Sequence, residues 1–192
     1  MTDREERTTS TSPLPHRAAW RAVARCVAVS LGLLVRGRLR SPRTWVGARV
    51  RFADGSTSTI YRETVVAGAV AARPCALVVR FRLRGVRGRG HALFRAESLL
   101  NTPLFAGFPG FVAKWWLAAD ENGTYRGLYE WDGADRADAY ARALWRVLAL
   151  VSVRGSIAYT VLPDRHRDDL LALPAPLDPH PAPAAWWRPV AS

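Results

Sequence analysis

The dipeptide Asn122-Gly123 stands between two β-prone runs, and this arrangement constrains the chain more than any other stretch. Asn-Gly supplies the left-handed backbone that a tight hairpin needs. Residues 111–118 before it and 125–131 after it are rich in aromatic and apolar side chains, so each reads as a strand. Asp132 then sits where a helix N-cap belongs, with Asp135 three residues on in capping-box position. Tyr140, Leu144, Leu148 and Val151 fall on one stripe and predict a helix over 133–150. Upstream, Leu77, Val79, Phe81 and Leu83 alternate with Val78, Arg80, Arg82 and Arg84, a strand with one apolar face. The glycine-rich stretch 85–90 is a loop and 91–100 a short helix, interrupted by Asn101 and Pro103. Gly107-Phe108-Pro109-Gly110 makes a turn. A last strand over 157–162 ends at Pro163. The order is β-α-β-β-α-β, an α+β, ferredoxin-like antiparallel sheet with two helices on one face.

The flanks read differently. Residues 1–16 are a polar, disordered tail. In 17–40, Arg17, Arg21 and Arg25 share one face of a basic helix. Its apolar run, 26–35, is too short for a bilayer, which takes about 20 residues. That helix either docks on the domain or on a second subunit, or lies on an anionic membrane surface. Over 46–66, Val50 and Phe52 alternate with Arg49 and Arg51, and Asp54-Gly55 turns into a β-branched run, giving a hairpin. The expected division is therefore a tail (1–16), a helix-plus-hairpin extension (17–74), the α+β domain (75–163) and a Pro/Ala-rich, disordered tail (164–192) that contains Trp186 and Trp187.

The chain carries a net charge of +12, and Lys114 is the only lysine among its 28 cationic residues. So extreme an arginine bias, beside abundant Ala and Gly, reflects a GC-rich coding sequence as much as a ligand. Nucleic acid is accordingly the least favoured partner. Cys26 and Cys75 are far apart and in apolar stretches, which argues against a zinc site or a disulfide and for a reducing cytoplasm. No metal-ligand spacing, phosphate loop or Gly-x-Ser-x-Gly elbow is present.

Residues 107–111 (GFPGF), 114–117 (KWWL), 125–131 (YRGLYEW) and 137–145 together resemble the dimeric α+β-barrel superfamily, and within it the YdhR-type monooxygenases, relatives of the antibiotic-biosynthesis monooxygenases. The resemblance covers 75–163. It implies a homodimer whose two sheets face each other, and a cofactor-independent monooxygenase acting on an apolar aromatic molecule. Trp115, Trp131 and Tyr140 are the expected pocket wall, with Tyr129, Trp145 and Phe111 beside them; plain core packing accounts for each of these rings singly. Asn101 is a polar contact by the same resemblance. His91, at the start of the first helix, is a base or anion contact, or simply a surface residue. If the sheets close into a barrel, Lys114 and Glu130 should form an ion pair between neighbouring strands. No cofactor is expected. The alternative is a non-enzymatic protein peripheral to anionic membrane.

Overall fold

The four strands expected in 75–163 are the centre of a larger sheet. The structure, a computed structural model, describes residues 15–85, 102–172, 174–176 and 182–191. Its elements are α1 (His16–Val35), β1 (Leu39–Arg40), β2 (Arg49–Phe52), β3 (Thr57–Val66), β4 (Pro74–Arg82), β5 (Phe111–Leu117), β6 (Thr124–Asp132), α2 (Ala134–Val151), β7 (Ala158–Pro163), α3 (Asp169–Ala172) and β8 (Pro189–Val190). Short 3-10 turns lie at Thr102–Leu104 and Pro183–Ala185. The helix expected over 91–100 lies outside the described residues, as do His91 and Asn101.

The strand order is β7-β4-β6-β5-β3-β2-β8, with β1 on the end of β3. Its first four members are the fourth, first, third and second strands of the split βαβ unit, which defines the ferredoxin-like class. The 46–66 hairpin forms as expected, yet it is no separate extension: β3 pairs with β5 and carries the sheet onward. Asp120 organises the Asn122-Gly123 turn, accepting hydrogen bonds from the backbone N–H of Asn122 and Thr124, each at 2.9 Å. Arg126 joins the two hairpin turns, donating to Asp120 and to Asp54 at 2.6 Å each.

Both faces of the sheet are buried. Leu77 and Val79 face a core shared with α2, while Ala76 and Val78 face a second core with Trp115, Leu128 and Trp186. Strand β4 is therefore apolar on both sides, as central strands covered on both faces are, and not on one side only. The second core corrects the expectation of a disordered C-terminal tail. Trp186 and Trp187 are 5% and 8% exposed, and β8 pairs with β2. Prolines and alanines set the composition of that segment, but the two indoles supply enough apolar area to hold it down.

Helix α1 docks on the helix face through small side chains. Ala19, Val23, Cys26 and Ser30 are buried, and Ser30 Oγ donates to the Pro103 carbonyl at 3.0 Å. Gly107 permits the contact: a Cβ there would stand 2.1 Å from the Cys26 carbonyl oxygen. By length and composition α1 is also apolar enough to cross a membrane, with a mean hydropathy of 1.6 over 18 residues, although 22% of that window is buried against the domain. Asp132 does not cap α2. The N-cap is Gly133, and the Asp132 carboxylate instead accepts from the Arg73 N–H at 3.0 Å and from Arg136 at 2.5 Å.

Candidate functional site

Strand β5 carries a bulge between Phe111 and Ala113, and this one irregularity decides which side chains meet. Phe111 opposes Trp131; after the bulge, Ala113 opposes Glu130, Lys114 opposes Tyr129 and Trp116 opposes Gly127. An extra residue in a strand reverses the in–out phase of everything beyond it. Phe111 and Trp116 consequently share the helix-side core, while Trp115 points into the other.

On the helix side the rings touch in sequence. Phe111 lies edge-on to Trp131 at 5.6 Å, Trp131 is 4.8 Å from Tyr140, and Tyr140 is 5.1 Å from Phe108. The Tyr140 hydroxyl donates to that of Tyr129 at 3.2 Å. Burial pushes both phenols up, so they remain protonated and able to donate. Gly127 makes room for Tyr129, since a Cβ there would lie 2.7 Å from the ring.

Lys114 extends into this cluster and is 6% exposed. Its Nζ lies 3.2 Å from the centre of the Trp116 ring, 4.4 Å from Phe105 and 4.7 Å from Tyr129. Among the described residues it has no carboxylate partner. Burial first, and the nearby Arg62 guanidinium second, hold its pKa well below the ordinary lysine range. Arg62 itself lies over Trp116 at 5.1 Å and donates to Thr102 Oγ1 at 2.6 Å. Trp116 Nε1 is fixed by Thr64 Oγ1 at 3.0 Å. The arrangement is a desolvated amine walled by aromatic faces, beside a pair of phenol donors.

The predicted site residues thus divide. Phe111, Tyr129, Trp131 and Tyr140 come together. Trp145 packs at the margin of the same core, edge-on to Tyr159 at 6.1 Å. Trp115 does not join them: its Nε1 donates to Glu63 at 3.1 Å on the opposite face. The expected Lys114–Glu130 pair does not form, because the bulge sends the two side chains to opposite faces. Glu130 instead accepts from the Arg167 N–H at 2.7 Å and lies 2.6 Å from His166 Nδ1. Arg167 completes that network, stacking over Trp115 at 3.9 Å and reaching Glu63 at 3.1 Å. Phe105 and Arg62 were not foreseen; Trp116 belongs to the aromatic run read from the sequence, but only knowledge of the bulge would have singled it out. The described residues hold no cluster of His, Cys, Asp and Glu suited to a metal.

No family model and no curated protein matches the chain in sequence. In structure it is similar to an uncharacterised ferredoxin-fold protein related to antibiotic biosynthesis monooxygenases from Listeria monocytogenes, at 10% identity and a TM-score of 0.40 over 58% of this chain and 66% of that one. It is also similar to a major regulator of staphylococcal pathogenesis (13%, TM-score 0.41, 57% and 69%) and to an anthrone oxidase-like protein (14%, TM-score 0.38, 58% and 55%). The matched part is just under two thirds of the Listeria protein, and the likeness is one of fold.

Proposed function

We propose that this chain binds an apolar aromatic small molecule on its helix face and oxygenates it without a cofactor. The observation that carries the reading is Lys114, a buried amine among three rings that has no counter-ion among the described residues. An unpaired cation in such a place is costly, and ionisable groups perturbed by burial cluster at functional sites. A lysine whose pKa is lowered by burial is suited to act as a general base near neutral pH. The substrate would be a carbon acid or phenol. Lys114 takes its proton, the Tyr129 hydroxyl, itself accepting from Tyr140, donates to the developing oxyanion, and the resulting anion reacts directly with dioxygen. For a methylene carbon flanked by rings, one oxygen atom becomes the new carbonyl and the other leaves as water with both methylene hydrogens. Phe105, which caps Lys114 from the turn after Thr102–Leu104, is the ring that shifts to admit the molecule.

The homodimer implied by the resemblance would use the second sheet face. Leu170, Trp186 and Trp187 supply cover for that face in the single chain, which is therefore the proposed binding unit. Oxygen uptake with anthrone, a flat tricyclic carbon acid, tests the reading. The expected outcome is one dioxygen consumed per anthraquinone formed, abolished by Lys114→Met. Uptake equal to the buffer rate, or unchanged by the substitution, would sink it.

A second reading concerns α1, where Trp20, Leu31, Leu34 and Val35 are exposed beside Arg17, Arg21 and Arg25. An apolar stripe flanked by arginines suits peripheral contact with anionic lipid. Co-flotation with phosphatidylserine vesicles that persists in the Leu31→Glu/Leu34→Glu variant would rule α1 out as the contact.

A further inference from the structure

A cleft of about 320 Å³ opens between α1 and the turn after the 3-10 segment. Ala22, Phe108 and Pro109 form its apolar wall, Cys26 and Gly107 its floor, and Arg21 and Arg25 its rim. The two arginines are one helical turn apart on α1, and both line the cleft. Among the described residues neither has an ion-pair partner. Arg21 spends only its Nε, on the Arg17 carbonyl at 3.3 Å. The sequence offers no carboxylate between residues 7 and 53, so nothing in α1 or the hairpin start neutralises them. The floor is rigid: Cys26 Sγ is tied to the Pro103 carbonyl at 3.2 Å, and Gly107 is pressed against the helix backbone. Burial pushes the Cys26 thiol up, so the floor stays neutral and apolar.

We propose that this cleft is a binding site for a small amphipathic anion, an apolar or aromatic body carrying one carboxylate or sulfonate. The body lies on Phe108, Pro109 and Ala22, and the anionic group is held across Arg21 and Arg25. The volume falls at the small end of the range for ligand pockets, which limits the body to about three rings or a short chain. Paired guanidiniums match the planar fork of a carboxylate and the oxygens of a sulfonate. The site is distinct from the Lys114 cluster, with which it shares the Phe108 ring, and it does not depend on the oxygenase reading.

The test uses 1-anilinonaphthalene-8-sulfonate and its uncharged analogue N-phenyl-1-naphthylamine on the full-length protein, followed by fluorescence titration. The sulfonate is expected to bind at one site per chain, with an affinity that falls as salt is raised. Arg21→Ala/Arg25→Ala should weaken it by about tenfold or more, as loss of charged hydrogen bonds does. Arg17→Ala, outside the cleft, should leave it unchanged. Because Arg21 and Arg25 are exposed, the double variant should keep the fold, to be checked by circular dichroism. Ala22→Trp, which fills the cleft, should block the sulfonate. Three results would overturn the proposal: no saturable binding to the unaltered protein, equal affinity in the double arginine variant, or an uncharged analogue that binds as tightly as the sulfonate.

Discussion

Exchanging Lys114 for methionine keeps the length of the side chain and removes only its buried nitrogen. Two opposing terms set the outcome. The ring contacts at 3.2, 4.4 and 4.7 Å favour the cation, by about 2 kcal/mol for a desolvated cation–π site. Against this stands the cost of burying a charge that has no carboxylate partner among the described residues, several kcal/mol per ion after relaxation. Methionine forgoes both and fills the same apolar space. The balance is a stabilisation of about 1–3 kcal/mol, in line with other buried-charge replacements. For a chain of this size that is a rise in Tm of about 3–10 °C. The effect also has a pH signature. Unfolded Lys114 titrates near its ordinary 10.5, whereas the folded group titrates lower. Between the two values the unfolded state holds more protons, so the stability of the unaltered protein rises with pH. The advantage of the substitution is fully present at low pH and disappears as pH climbs towards 10.5. Urea denaturation of both proteins at several pH values measures this directly. A substitution that destabilises at pH 7 would refute the reasoning, and would make Lys114 a structural cation held by its rings.

Three further outcomes are expected. Gly107→Ala should cost about 1–3 kcal/mol or more through overpacking, because its Cβ would collide with the Cys26 carbonyl; protease digestion should then release α1 first, and an unchanged digestion pattern would contradict the close docking. Trp186→Ala should cost about 3 kcal/mol or more, read by urea denaturation, and a neutral result would mean that the C-terminal segment adds little to the second core. The His166 pKa is raised, chiefly by its hydrogen bond to Glu130, so its contribution is complete below the ordinary 6.5 and is lost as pH rises through the folded value. Tryptophan fluorescence should therefore report a loosening of the C-terminal segment on going from acid to alkaline pH, and His166→Ala should abolish that change; a transition that survives in the variant would assign it to another group.

The parts of this fold that local chemistry governs were readable from the chain. Asn122-Gly123 announced its hairpin, Asp54-Gly55 another, and the Tyr140/Leu144 stripe marked the face that α2 buries. What stayed hidden depends on contacts distant in sequence. The bulge after Phe111 leaves no compositional trace, yet it moves Trp115 to one side and Lys114 and Trp116 to the other. Strict alternation therefore put Trp115 on the side of Trp131 and predicted an ion pair that does not form. Trp186 and Trp187 were overruled by the prolines around them, since whether a short segment is ordered depends on a surface elsewhere being there to receive it. The docking of α1 rests on Ala19, Ser30 and Gly107, small residues whose value lies in what they leave out. His91 and Asn101 fall outside the described residues, so their part in the site is unaffected by any of this geometry.

The C-terminal segment has a thermodynamic consequence. Two sheets brought together by association lose each other on dilution, and their stability then depends on protomer concentration. Here Trp186 and Trp187 belong to the same chain as the face they cover, so the contact is intramolecular and independent of protomer concentration. The cover cannot diffuse away, and folding remains unimolecular through that face. The melting temperature should accordingly be the same at nanomolar as at micromolar protein, and a chain made at a few copies per cell would keep its second core as fully as one made in abundance.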